Sequence, residues 1–276
     1  MGPRMADAAS FPAPSRSLAR IGDSGAARRL IVLAVLGAIW EGYATALNNP
    51  LLLPSLSATL AATFEGFASG ELGERTFTTL SVLAKGYALG VLAAAILTVL
   101  AVSNRWGLEL LNTLTAMFNP LPAVALLPIA LLWFGLGVPS LVFVIMHSVM
   151  WPVSLSGLSG FRGVPATLRM AGRNLGLTSL PFVIQILIPA AFPAILAGLK
   201  IGWAFAWRTL IAAELVFGVS SRSGGLGWYI YINRNQLETA NVFAGLLVVI
   251  LIGLIVESLL FRSITKATTE RWGQQH

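Results

Sequence analysis

The sequence has no cysteine. That excludes thiolate metal centres, iron–sulfur clusters and thiol catalysis, and it says nothing of redox compartment. Charge is also scarce: 11% of the 276 residues are Asp, Glu, Lys or Arg, against about 25% in an ordinary soluble domain. Only three lysines occur, Lys85, Lys200 and Lys266, and they follow Ala, Leu and Thr. The chain therefore lacks the Gly-Lys-Ser/Thr loop that cradles nucleotide phosphates. What is abundant is apolar surface, with 56% hydrophobic residues and a mean hydropathy of +0.80. In water such a chain would expose large sticky patches, so a soluble globule, a disordered chain and a disulfide scaffold are all excluded.

A bilayer core about 30 Å thick needs about 20 mostly apolar helical residues per crossing. Six runs qualify: Leu30–Leu47, Leu80–Val102, Leu110–Phe134, Leu141–Leu158, Phe192–Phe217 and Val242–Phe261. An all-α integral membrane protein with six transmembrane helices follows, both termini on one side. The basic residues select that side. The segments sharing a side with the termini hold twelve Lys and Arg, and the opposite segments hold three, Arg75, Arg222 and Arg234. This bias predicts cytoplasmic termini. The net charge of +7 then reports orientation rather than a nucleic-acid partner.

Residues 1–29 are small, polar and proline-bearing and read as a mobile cytoplasmic tail, with 30–262 as the membrane domain and 263–276 as a second cytoplasmic tail. The apolar run after the first tail starts too late and is too long for a signal peptide. Between the first two runs, Pro54 and Ser55 precede spaced Leu56, Leu60, Phe64 and Phe67, the pattern of a short amphipathic helix. It either lies on the membrane surface or packs on the bundle.

The segment 163–190, between spans four and five, is basic, free of acids and patterned as two short helices. Thr167–Leu175 can form the first, and Gly176 can turn the chain because glycine tolerates φ > 0. Thr178 or Ser179 can cap the second, with Pro181 in its first turn. Pro189 and Pro193 punctuate the start of span five.

Met170-Ala171-Gly172, three residues, Gly176, nine residues and Ile186-Leu187-Ile188-Pro189 resemble the E-A-A-x3-G-x9-I-x-L-P loop. That loop marks the membrane subunits of binding-protein-dependent ABC importers of the type I fold. The chain departs from it at Met170 (for Glu), Gly172 (for Ala) and Ile188 (for Leu), so the family carboxylate is missing. LLLPS at 51–55, SGELGERTFTTL at 69–80, KGYALG at 85–90, NPLPAVALLPIALLWFGLG at 119–137 and LKIGWAFAWRTLIAAEL at 199–215 are similar to the subgroup serving nitrate, taurine, aliphatic sulfonates and bicarbonate. The resemblance covers roughly residues 50–262.

It implies a permease in the bacterial inner membrane, working as a homodimer in which each chain forms half of the translocation path. The implied partners are a pair of cytoplasmic ATPase subunits, which bind ATP and magnesium, and an external solute-binding protein. This chain would hold no cofactor and would not itself be an enzyme. The coupling helices would dock on the ATPase through Arg169, Met170, Ala171, Gly172, Arg173, Gly176, Ile186 and Pro189. Arg162, Arg169 and Arg173 are explained equally well as topology-setting charge.

Charges inside a bilayer are expensive and normally face a cavity or a partner. Glu41, Lys85, Arg208, Glu214 and Glu257 fall within the runs, and Lys200 sits near an end where it can snorkel. Lys200, Trp203, Trp207, Ile211 and Glu214 recur at helical spacing on one stripe. That stripe either lines a passage or packs on a neighbour with Glu214 paired to Lys85 or Arg208. Lys85, Trp203, Trp207, Arg208 and Glu214 are thus the candidates for the path of an anionic solute. Asn119-Pro120-Leu121-Pro122 and Pro128 should interrupt span three, and the pairs Gly86/Gly90 and Gly198/Gly202 permit close helix approach.

Two other classes fit less well. Gly157-Leu158-Ser159-Gly160 suggests an intramembrane serine protease, but His147 lies twelve residues earlier on the same run, about 18 Å away, and His276 is at the chain end. A secondary transporter or channel predicts similarity between the halves, and none is visible.

Overall fold

The structure is a computed structural model, described here over residues 25–217 and 224–270. Most of the 1–29 tail, Arg222, and His276 at the end of the C-terminal tail fall outside those residues. The chain divides into two compact units, Met1–Ala58 and Thr59–His276. No strand occurs among the described residues, as a bilayer demands of a chain whose backbone must bond within each crossing.

The first unit holds α1 (Gly25–Leu47) and the start of α2 (Leu56–Ala68). Helix α1 begins inside the stretch expected to be a tail. Ser55 caps α2, its Oγ accepting the Ala58 N–H at 3.1 Å. Glu41 supplies a second cap: its carboxyl accepts the Ser57 hydroxyl at 2.7 Å and the Ser57 N–H at 3.1 Å. Within the second unit, α2 presents Leu60, Phe64 and Phe67 outward, Phe64 being 75% exposed, while Thr59, Ala62 and Gly66 are buried. Large apolar side chains facing away from the protein suit a helix lying in a membrane interface.

Next comes α3 (Glu71–Ser103), which extends well before the apolar run. Its 33 residues measure about 50 Å, more than a 30 Å core requires. Span three is not one helix. It divides into α4 (Arg105–Phe118) and, after a tight turn at Ala123–Leu126, α5 (Leu127–Phe134), and the two arms meet at 89°. The break falls at Asn119–Pro122, because Pro120 and Pro122 cannot donate to the preceding turn. Pro128, by contrast, sits in the first turn of α5, where its missing N–H is harmless.

Helix α6 (Val138–Arg162) is central. Two neighbours close on it through glycines. On α3, Gly86 and Gly90 lie so close to Ile145 and Val149 that an added Cβ would come within 2.6 Å of each. On α9 (Ile188–Phe217), Gly198 and Gly202 face Ser156 and Val153 in the same way. Both small-residue pairs therefore serve packing, the main source of cohesion where lipid removes the hydrophobic drive.

Before α9 run α7 (Ala166–Asn174) and the short α8 (Ser179–Phe182). Helix α8 does not stop at Pro189. It passes through a wide π-type turn, Val183–Leu187, in which the Ile188 N–H bonds to the Val183 carbonyl, and continues directly into α9. A five-residue step spares the chain the usual bond that Pro189 cannot make. Helix α10 (Leu226–Asn235) follows, then α11 (Thr239–Ile255), which extends helically through Glu270. Among the described residues, five helices are long and apolar enough to span a bilayer, and the bent α4–α5 pair makes a sixth when taken as one span.

Candidate functional site

Two features stand out, a hairpin at one end of the bundle and a cavity at the break in span three. The hairpin is α7, Gly176 and α8. Gly176 has φ +72°. Its N–H bonds to the Arg173 carbonyl at 2.9 Å, and the Leu177 N–H reaches the Gly172 carbonyl at 3.1 Å. These are the two reverse bonds of a Schellman stop, which needs a left-handed residue at this position. Gly172 is buried where α7 meets Phe182 and Ile186, and a Cβ there would lie 2.9 Å from each. The family alanine would need these neighbours to shift, so glycine here brings the two arms closer.

The remaining hairpin residues divide by environment. Arg169 is half-buried and points back: Nη2 donates to the Phe161 carbonyl at 2.6 Å and Nε to the Val164 carbonyl at 3.3 Å. The Phe161 carbonyl belongs to the last turn of α6, where a guanidinium also complements the helix dipole. Met170 is 56% exposed and Leu175 76% exposed, and Leu168, Ala171 and Arg173 are exposed with them. The hairpin thus presents an apolar patch with a basic rim, fixed to α6 by Arg169 and continuous with α9. Ile186 is half-buried against Gly172, and Pro189 follows the wide turn.

The five residues proposed for a solute path are not gathered at one place. Trp203 and Trp207 stack on each other (6.2 Å between ring centres, 7° between planes), and Tyr87 and Phe261 meet Trp203 edge-on. Trp207 and Ile211 are buried in the main core. Glu214 is 4% exposed and pairs with neither Lys85 nor Arg208. Instead it accepts the Gly227 N–H at 2.8 Å and the Thr79 hydroxyl at 3.1 Å, and Thr79 Oγ in turn accepts the Leu226 N–H at 2.7 Å. It thereby caps the start of α10, as Glu41 caps α2. Lys85 is exposed, and exposed Arg208 lies 5.7 Å over the Phe205 ring. Among the described residues the ion pair present is Arg75–Glu71 at 3.6 Å. Lys200 donates to Thr265 Oγ at 3.0 Å.

The cavity, of about 240 Å³, is bounded by the Asn119–Ala123 break, by His147, Ser148, Trp151 and Pro152 of α6, and by Phe205 and Thr209 of α9. A span broken at these prolines either borders a cavity or packs as a kink, and here it borders a cavity. The His147/Trp151 spacing of four, one helical turn, was the available signal. Among the described residues, no group of three or more His, Asp or Glu is placed to hold a metal.

The apolar helices, with one bent pair among them, define a multi-pass membrane protein. A family model described as the inner membrane component of binding-protein-dependent transport systems matches residues 86–266, and the chain belongs to that family. A Methanocaldococcus jannaschii protein named as an ABC transporter permease is 34% identical over 232 residues, covering 83% of this chain and 85% of the relative. The taurine transport system permease protein TauC of Escherichia coli is 30% identical over 236 residues, 82% of each chain. The nitrate import permease protein NrtB of Synechocystis is 28% identical over 237 residues, covering 83% of this chain and 85% of the relative. The chain is thus a multi-pass ABC importer permease.

Proposed function

We propose that this permease forms half of a homodimeric path for a small anionic solute of the taurine, sulfonate, nitrate or carboxylate class. It is driven by a separate ATPase pair, which binds ATP and magnesium, and is supplied by an external binding protein. The relatives named for taurine and nitrate support the solute class. The twelve-to-three bias in basic residues supports cytoplasmic termini, which puts the hairpin on the ATPase side.

The observation that carries the coupling is the hairpin itself. A linker would need neither a Schellman stop nor a guanidinium clamp to α6. A lever needs both, and it needs an unbroken connection to a span, which the Val183–Leu187 turn provides. Exposed Leu168, Met170, Arg173 and Leu175 are the docking surface. Lys85 and Arg208, mid-depth cations left exposed in a single chain, face the shared path or the second copy, because an unshielded charge toward lipid is costly.

The chain's lack of cysteine makes the test direct. Met170→Cys or Arg173→Cys should cross-link to the ATPase subunit encoded with this permease, and a single cysteine at Phe64 should not. Equal labelling of all three positions would refute docking through the hairpin.

A further inference from the structure

We infer that the pocket at the α3–α4 corner, beside the end of α6, binds the phosphate headgroup of an anionic phospholipid. The orientation proposed above puts that lipid in the cytoplasmic leaflet; the site itself does not depend on it.

Three arginines from three elements border this space of about 360 Å³: Arg105 opens α4, Arg162 ends α6 and Arg169 belongs to α7. Neither Asp nor Glu lines it. The acid nearest to Arg105 in sequence, Glu109, borders a separate groove with Trp106 and Leu110. Arg105 and Arg162 are exposed, and among the described residues neither makes an ion pair. Arg169 gives Nε and one Nη2 hydrogen to carbonyls, which fixes its guanidinium and leaves three of its five N–H groups uncommitted. Asn104 adds an amide nitrogen, because its side-chain oxygen already accepts the Gly107 N–H at 2.7 Å.

Charge that only sets topology must lie on one side of the membrane, but it has no need to converge. Three like charges around one space repel one another. A phosphate among them replaces that repulsion with charge-assisted, bidentate bonds. The other wall is apolar, formed by Val102, Leu158 and Phe161. A space that is basic on one side and apolar on the other suits a lipid at its glycerol level better than a hydrated free phosphate. The depth agrees. The 25 residues of α6 measure about 37 Å, so its end passes the 30 Å core into the headgroup layer. Trp106, next to Arg105, is 87% exposed, as suits an interfacial anchor. Val99 and Leu155, one turn deeper than Val102 and Leu158, are exposed and leave apolar surface for acyl chains. The volume equals roughly twelve waters at 30 Å³ each, room for a phosphate and its glycerol.

Native mass spectrometry of the full-length protein, stripped of lipid in detergent, tests the site with palmitoyl-oleoyl phosphatidylglycerol. The unaltered chain should bind it at least about tenfold more tightly than phosphatidylcholine of the same chains, whose headgroup has a phosphate but no net charge. Arg105→Gln with Arg162→Gln should weaken that binding about tenfold or more, and Arg105→Lys with Arg162→Lys about threefold or less. Arg28→Gln with Arg29→Gln, an equal loss of charge at the start of α1, should change it less than about twofold. Equal falls for the two Gln pairs would reduce the attraction to general surface charge and overturn the site.

A second readout leaves the three arginines in place. Ser103→Cys, the single thiol in a sequence without cysteine, carries a bimane fluorophore at the pocket edge. Phosphatidylglycerol should shift its emission, and millimolar inorganic phosphate should neither shift it nor displace the lipid. No shift with phosphatidylglycerol overturns the site, and an equal shift with inorganic phosphate overturns the lipid as its occupant. Loss of ATPase co-purification in the Gln pair at Arg105 and Arg162, with lipid binding unchanged, would assign these arginines to that protein interface and overturn the proposal. Labelling of Ser103→Cys by an impermeant maleimide from outside intact cells would sink the orientation and leave the site standing.

Discussion

The carboxyl of Glu214 lies 2.8 Å from the backbone nitrogen of Gly227, so an acid at the end of a membrane helix caps a second helix thirteen residues on. Gly225 and Gly227 make this possible. A Cβ on Gly227 would meet the Glu214 Cβ at 2.5 Å, and one on Gly225 would overlap the carboxyl and Thr79. Arg75 completes the seat by donating to the Gly224 carbonyl at 2.9 Å. Replacing Glu214 with Leu leaves the Gly227 N–H and the Thr79 hydroxyl unpaired and should cost about 2–4 kcal/mol. Glu214→Gln, which keeps an acceptor for Gly227, should lose much less. Thermal unfolding of the two purified variants in detergent checks this, and equal losses would contradict the capping role.

At Gly176 the requirement is conformational. With φ at +72° a β-branched side chain is strained, by about 1–2 kcal/mol, whereas asparagine visits this region readily. Gly176→Val should reduce co-purification of the ATPase while α7 remains helical, and Gly176→Asn should stay near the unaltered protein. Indistinguishable variants would mean that the turn does not set the hairpin's geometry.

Two arginines four residues apart should behave oppositely. Arg169 bonds to the Phe161 carbonyl in the last turn of α6 and to the Val164 carbonyl just beyond it, so Arg169→Ala should lower stability by about 1–2 kcal/mol. Arg173 is exposed, so Arg173→Ala should change stability by less than about 0.5 kcal/mol and instead weaken ATPase binding. Measured unfolding and pull-down yields separate the two roles.

Much of this architecture is legible in the residues, for identifiable reasons. Apolar run length gives the crossings, because the bilayer fixes it. Pro120 and Pro122 announce the interruption of span three, but prolines mark a break without its angle, and the 89° bend depends on packing. Gly176 announces the turn. Pro189 marks the entry to span five, whose helix begins at Ile188, but it does not announce the π-type turn through which α8 runs into it. Helix α10 escapes a reading by periodicity because it is only ten residues long and mixes Trp and Tyr with Asn and Arg. Glu214 reads as a charge seeking a countercharge. Its partners are a backbone N–H and a threonine hydroxyl, which no residue pattern displays. The His147–Trp151 pair lies one helical turn apart and was open to view.

The account rests on a bundle moved by an ATPase that it does not itself contain. The most direct measurement is uptake of labelled taurine and nitrate into proteoliposomes, made with the purified chain alone or with its ATPase and binding protein. At least one probe should enter the second preparation, only when ATP is supplied, and neither should enter the first beyond protein-free vesicles. Entry into vesicles holding this chain alone, without nucleotide, would contradict the account.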